Sequence, residues 1–445
     1  MKSPVEISFA NIKEYEEDYK KCKSNSIARH ALAATCIDTV ALSLDEATNR
    51  QFKFDVDIKT LPVTNQMKSG RCWIFSACNV LREIVAKKSN IANMFELSQN
   101  YIAFYDKFEK CNYIMESIID LINKDHDDRY VAFILQNGVG DGGQWEMFVN
   151  LVKKYGFCPK NAMVETYSSS NTAEMNALIN ASLREFAARA KKLYASSGVA
   201  AVRKLRDEFL LKFYNLCCSC FGVPPTKFDF EYTDSDNKYH LEKDYTPKDF
   251  FEKFVGSSID NYISLINSPT EDKPFYKTFT IDYLGNVVGG NDVVHLNLPM
   301  ERMKELIKNQ LDDGNVVWFG SDVGRYRLRD EGIWDDKGFD YLTPFGLDKK
   351  MDKAQMLDYY SSAMNHAMVI TGYAKRNDEI TKWKIENSWG KTGNEGFYMM
   401  SSSYFDSFVY QAVIDKKYLN EKELDALKQK PILLKPWDPM GTLAD

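Results

Sequence analysis

The chain has 445 residues, roughly three domains' worth of sequence, with 44% apolar and 27% charged residues, a profile that excludes whole-chain disorder. No run of about 18 apolar residues occurs, so no bilayer-spanning helix is expected. The net charge of −6 and pI near 5.6 argue against nucleic acid bound through a broad basic surface.

The first 60 residues read as an arm that is helical, then extended. Val5, Phe9, Ile12 and Tyr15 recur at helical spacing, and Phe52 to Lys59 alternates apolar and charged residues like a half-exposed strand. A turn at Leu61-Pro62 precedes a helix expected to begin at or near Cys72. Ile74, Ala77, Cys78, Leu81 and Val85 form its stripe, widened by Phe75, Val80 and Ile84, which predicts a buried helix in a subdomain spanning 61–110. Residues 111–280 read as mainly helical. Ala173 to Leu216 is long and rich in Ala, and Thr246-Pro247 looks like a cap followed by a first-turn proline. Short strands and Gly turns dominate from about 275, giving a β-rich unit over 281–415, and 416–445 reads as an arm with an extended end.

Nine cysteines, an odd number, and an N-terminus without an apolar stretch point to reduced thiols in a cytoplasmic protein. Cys217-Cys218-x-Cys220 has no companion pair at zinc spacing, and the acidic loop around His126 reads as a solvated face. Gly142-Gly143 lacks the context of a phosphate loop and is assigned to a cleft wall.

A thiol at a helix start ionises more readily in the partial positive charge there, and Gly70 permits close substrate approach. The base it needs must come from His30, His126, His240, His295 or His366. Pairing 366–374 with 380–387 across the polar loop 375–379 brings Asn387 opposite His366 within a residue or two. An Asn oxygen there would take one ring N–H and leave the other nitrogen to face the sulfur. Trp389 could cover that bond, and Gln66 with the Cys72 N–H could form an oxyanion hole.

The run Gln66, Ser69-Gly70-Arg71-Cys72-Trp73, Asn365-His366-Ala367 and Glu386-Asn387-Ser388-Trp389-Gly390 resembles the papain superfamily of cysteine peptidases. Gly142-Gly143-Gln144-Trp145 and Pro436 to Gly441 bring it nearest the bleomycin hydrolase / aminopeptidase C family, along essentially the whole chain. That resemblance implies an α+β papain-like fold, a helical subdomain plus a β-barrel-like one, with a large helical insertion and a C-terminal tail. It implies Cys72 as nucleophile, His366 as general base and acid, Asn387 as orienting residue and Gln66 as oxyanion donor. His366 and Asn387 lie 294 and 315 residues after Cys72. The papain-type spacing is roughly 130–150, so about 150 residues are inserted. Ser69 replaces the Cys of the commoner signature, which removes a disulfide.

By the same resemblance, a cytoplasmic homohexamer would act on peptides with a free N-terminus, without metal, cofactor or membrane. The tail would lie in the non-primed half of the cleft, and Gly142 and Gly143 would bind substrate. Its terminal carboxylate, on Asp445 or on Ala444 after trimming, would meet the substrate's ammonium. The competing readings are a papain-fold acyl or amide transferase and a catalytically silent scaffold or nucleic-acid-binding homologue.

Overall fold

The computed structural model describes residues 4–43, 45, 50–92, 94–347 and 350–444. Asp445 lies outside the described residues.

Three helices open the chain: α1 (Phe9–Lys21), α2 (Lys23–Leu32) and α3 (Ile37–Ala41). Ser8 caps α1 by accepting from the Asn11 N–H, yet α1 buries no residue, so Phe9, Ile12 and Tyr15 face water. The alternating run 52–59 contributes only a short strand, β1 (Val56–Asp57). Asp55 N and Ile58 N still donate to Tyr373 O and Thr371 O, so the segment stays extended beyond its ladder. A Cβ on Gly372 would sit 2.1 Å from Val56 O, so this backbone approach requires glycine.

The helical side of the molecule follows. It comprises α4 (Cys72–Ser89), α5 (Gln99–Asp120), α6 (Arg129–Asn137), α7 (Trp145–Tyr155), α8 (Tyr167–Ser170) and α9 (Ala173–Phe221). Thirteen residues of α4 are buried, as a helix apolar around most of its circumference must be, and Asn90 ends it in the left-handed region at φ 53°. α9 is two helices joined at Gly198, whose φ of 74° breaks the run. Each half buries one stripe, Met175, Ile179, Leu183, Phe186 and Ala190, then Val202, Leu205, Phe209, Phe213 and Cys217. The spacing of three and four keeps each stripe on one face, and α9 packs along α5.

The block 111–280 turns to strands after α9. A separate hairpin joins β2 (Phe228–Thr233) to β3 (Tyr239–Tyr245), followed by α10 (Pro247–Phe254) with Thr246 as cap. Phe228, Phe230 and Tyr232 alternate there, a period of two that a helical assignment of the block passes over.

The remaining strands are β4 (Tyr262–Ile266), β5 (Lys277–Ile281), β6 (Val294–Asn297), β7 (Val317–Ser321), β8 (Arg327–Leu328), β9 (Ile333–Trp334), β10 (His366–Arg376), β11 (Glu379–Glu386), β12 (Phe397–Ser401), β13 (Val409–Asp415) and β14 (Ile432–Leu434). With β1 they form one twelve-stranded sheet in the order β14-β5-β6-β4-β13-β7-β10-β11-β12-β9-β8. β1 pairs β10 beyond the point where β7 leaves that edge: β7 reaches Ile370, and β1 takes Gly372 and Tyr373.

Both faces of the sheet are covered. Trp318, Ala367 and Val369 pack with α4 and the helical block, whereas Val317, Phe319, Met368 and Ile370 pack with α11 (Met300–Asp312) on the other side. That period-two division along β7 and β10 explains why both strands read as continuous apolar runs. The start of α4 therefore faces the start of β10, and the cleft lies at that seam.

Candidate active site

Cys72 is the first residue of α4, and the loop before it is held from several directions. The Gly70 N–H donates to Asp141 Oδ2 at 2.9 Å, and the Trp73 indole N–H donates to the Asp141 carbonyl at 2.7 Å. Arg71 forks onto Glu165 at 3.2 and 2.9 Å, an ion pair that anchors the helix start. Trp318 Nε1 donates to Trp73 O at 3.3 Å and ties the helix start to β7.

Asp141 is buried, and burial alone would raise its carboxyl. Lys107 at 2.8 Å, with Thr172 and Asn176, overcomes that and holds it well below the usual carboxylate range. Sequence reasoning missed Asp141 and Lys107. Only the small segment Gly140 to Gly143 marks the neighbourhood, since nothing local pairs an Asp with a Lys 34 residues away.

A second missed pair clips α4 to β11. Arg82 and Glu386, each 1% exposed, meet at 2.9 Å, and Asn79 donates to the same carboxylate oxygen at 2.9 Å. Glu386 directly precedes Asn387, so this clip fixes α4 relative to the strand that delivers the Asn.

β10 and β11 pair with Val369 opposite Glu386, and a bulge between Ile370 and Gly372 shifts the register. His366 and Asn387 therefore meet just beyond the regular ladder. Asn387 Oδ1 accepts from Ser388 N at 2.7 Å and lies 2.9 Å from His366 Nε2. Because a backbone N–H already identifies that atom as the oxygen, the ring nitrogen must be the donor, and in the neutral ring Nδ1 is left with a free lone pair. Trp389 stacks on the ring, with centroids 4.7 Å apart and planes at 28°.

The N–H of Ala367, the residue after His366, donates to Cys72 Sγ at 3.4 Å. The strand carrying the imidazole is thus in direct contact with the sulfur. Burial pushes His366 down to about 4, against the pull of its bond to Asn387, so the ring is neutral unless an anion stands beside it. A thiolate is such an anion.

Gln66 is buried, and its Nε2 donates to Ser69 O at 2.7 Å. An amide nitrogen carries two protons, so a second donor remains. The other histidines stand elsewhere: His295 bonds Ser264 Oγ at 2.7 Å in the core, His240 pairs with Asp234 at 2.7 Å, His126 borders an apolar hollow of the helical block, and His30 is exposed. Cys78 and Cys217 are buried in the core, where desolvation pushes both thiols up.

The chain's last described residues enter the same cleft. Gly143 N donates to Ala444 O at 3.3 Å, Gln144 Nε2 donates to Thr442 O at 2.6 Å, and Ala444 is fully buried. A Cβ on Gly142 would fall 2.7 Å from Ala444 O, and one on Gly143 2.4 Å from the Trp73 indole, so both glycines are needed for contact. The tail is anchored by Lys273, 2.9 Å from Asp438, and by Arg129 stacked 3.7 Å over Trp437.

Open space remains on both sides of His366. One cavity of about 560 Å3 lies between Gln66 and Trp389, and another of about 590 Å3 lies beside the tail; Asn365 lines both. Among the described residues, no three His, Cys, Asp or Glu side chains cluster as metal ligands, and no helix is long and apolar enough to cross a membrane.

A Cys at a buried helix start, facing an Asn-oriented His across a two-part cleft, defines a papain-like cysteine peptidase. The chain belongs to the peptidase C1-like family, whose sequence model matches residues 6–441. It is 45% identical to aminopeptidase C of Lactobacillus delbrueckii subsp. lactis, over 99% of both chains. It is 37% identical to human bleomycin hydrolase, over 95% of this chain and 96% of that one. The crystal structure of PepW from Lactobacillus rhamnosis HN001 superimposes with a TM-score of 0.96 at 42% identity, covering 99% of this chain and 100% of that one.

Proposed function

We propose that Cys72, His366, Asn387 and Gln66 carry out the hydrolysis of this cysteine aminopeptidase through a thioester. The observation that carries the proposal is the contact of the His366 strand with the Cys72 sulfur, combined with the Asn387 bond that leaves Nδ1 as the base.

His366 takes the thiol proton, and the thiolate adds to the first peptide carbonyl. The oxyanion is held by the free Gln66 N–H and the Cys72 backbone N–H at the helix start. The imidazolium then protonates the departing amine, the C–N bond breaks, and a thioester remains on Cys72. Water, deprotonated by the neutral ring, adds to that ester, and collapse releases the amino acid and restores the thiol.

Peptides with a free N-terminus are the substrates. Gly142 and Gly143 form the cleft wall on the tail's side, and a terminal carboxylate on Ala444 or Asp445 meets the substrate's ammonium. This charge pair sets the distance from the chain end to the cut bond. The working form is a cytoplasmic homohexamer.

Incubation of a free-amine peptide and its N-acetylated twin, read by mass spectrometry, tests the reading. Loss of one residue from the first alone is expected, unaffected by EDTA and abolished by thiol alkylation. Inhibition by EDTA with indifference to alkylation would overturn it.

A further inference from the structure

The tail enters the Gly142 side of the cleft, where the reading above holds the substrate's N-terminal residue, so the departing part of a peptide lies in the 560 Å3 cavity on the Trp389 side. Apart from His366, the ionisable residues lining that cavity are Lys68 and Arg327, and no described carboxylate lines it. Both side chains are exposed, and among the described residues neither takes part in an ion pair.

Their backbones are fixed. Lys68 N donates to Ser170 O at 3.0 Å. Arg327 pairs with Trp334, which is fully buried and stacked 4.6 Å from Tyr398. Arg327 opens the two-residue strand β8, with Tyr326 before it in the left-handed region at φ 47° and a turn beginning at Arg329. Arg325 is occupied by Asp322 at 3.5 Å and by Ser361, and Arg329 lies 5.8 Å over the Trp389 ring. Arg327 is left facing the cavity.

Asp322 and Glu331 do not line the cavity. Asp322 accepts from Asn365 Nδ2 at 2.7 Å, Gly324 N at 2.9 Å and Ser362 Oγ at 2.8 Å, so both its oxygens are committed. Glu331 stands 3.9 Å from Arg50, away from the cavity. A chain with net charge −6 thus presents a cationic face where the leaving group departs.

We propose that the leaving-group side of the cleft selects a carboxylate, received by Arg327 and Lys68. Its source is an acidic side chain in the first two residues after the cut bond, or the terminal carboxylate of a short peptide. The inference rests on the aminopeptidase reading above. Arg327 offers a planar fork suited to a carboxylate, and Lys68 adds a point charge. Both are exposed and screened by water, so the preference is about three- to tenfold rather than absolute.

The test measures kcat/KM for C-terminally amidated pentapeptides with Asp, Asn or Lys at the second position, and for a dipeptide as free acid and as amide. The order Asp over Asn over Lys, shrinking in high salt, identifies the side chain as source. A preference confined to the free-acid dipeptide identifies the chain end. Arg327→Glu, and separately Lys68→Glu, should lower or reverse the Asp-to-Lys ratio. That ratio is internal to each enzyme, so a variant of low overall rate still reports. Equal rates for all peptides in the wild type, or a wild-type preference (Asp over Lys, or free acid over amide) unmoved in both variants, would overturn the proposal. An aminoacyl coumarylamide with a free amine and an uncharged leaving group separates the two levels: if the wild type leaves it intact, the aminopeptidase reading itself fails.

Discussion

Asn387 shares one oxygen between the His366 ring, at 2.9 Å, and the Ser388 N–H, at 2.7 Å. The backbone contact fixes the amide and the amide fixes the ring, under an indole stacked at 4.7 Å. Asn387→Ala should therefore lower kcat by about ten- to hundredfold, because a misdirected base costs geometry rather than binding. KM should change little. Steady-state kinetics on one short peptide checks this, and a loss confined to KM would speak against the orienting role.

The buried Arg82–Glu386 pair joins the sulfur's helix to the strand preceding Asn387. Removing one partner leaves an uncompensated buried charge, at a cost of about 3–5 kcal/mol. Arg82→Ala should show that loss in urea unfolding. An apolar double replacement of Arg82 and Glu386 should recover much of it. Recovered stability without recovered activity would locate the pair's importance in positioning.

Gly142→Val tests the tail without shortening the chain. A Cβ there collides with Ala444 O and with Leu443 Cβ, 2.7 and 2.8 Å away. The tail should be displaced and the cleft opened. Cleavage of N-acetylated peptides, absent in the wild type, is the expected gain. A strict free-amine requirement in the variant, as in a chain lacking 440–445, would contradict the proposed pairing of the tail's carboxylate with the substrate's ammonium.

Acid should destabilise the fold through its buried histidines. Burial holds His295 down at about 4, below its ordinary 6.5, and among the described residues its Nε2 has no hydrogen-bond partner. The unfolded chain binds that proton first. The contribution is whole above pH 6.5 and is lost as the pH falls towards 4, about 3 kcal/mol in all. His295→Leu should flatten the dependence of unfolding free energy on pH over that window. His366 has the same sign and should add a similar slope in a Cys72→Ala background, where no thiolate can pair with it.

The parts of the site legible in the sequence are those with local signatures. The stripe from Ile74 to Val85 marks the helix behind Cys72, and the symmetric run around the 375–379 loop brings Asn387 towards His366. Thr246-Pro247 likewise announces α10. The strand over 52–59 was overread, since alternation specifies an exposed face but not a partner, and β10 offers its edge only beyond Ile370. Asp141–Lys107 and Arg82–Glu386 were invisible because ordinary charged residues, 34 and 304 positions apart, meet only after folding. The contact of Ala444 with Gly143 closes a loop nearly as long; the resemblance put the tail in the cleft, but no local signal pairs it with Gly143.

The most direct test of the account is an acid quench during turnover of a slowly hydrolysed aminoacyl ester, followed by peptide mapping. The acyl mass should appear on Cys72 and on none of the other eight cysteines, and Cys72→Ala should lose at least about 10,000-fold in rate with no adduct. Turnover that persists in Cys72→Ala, or an acyl group found on another residue, would contradict it.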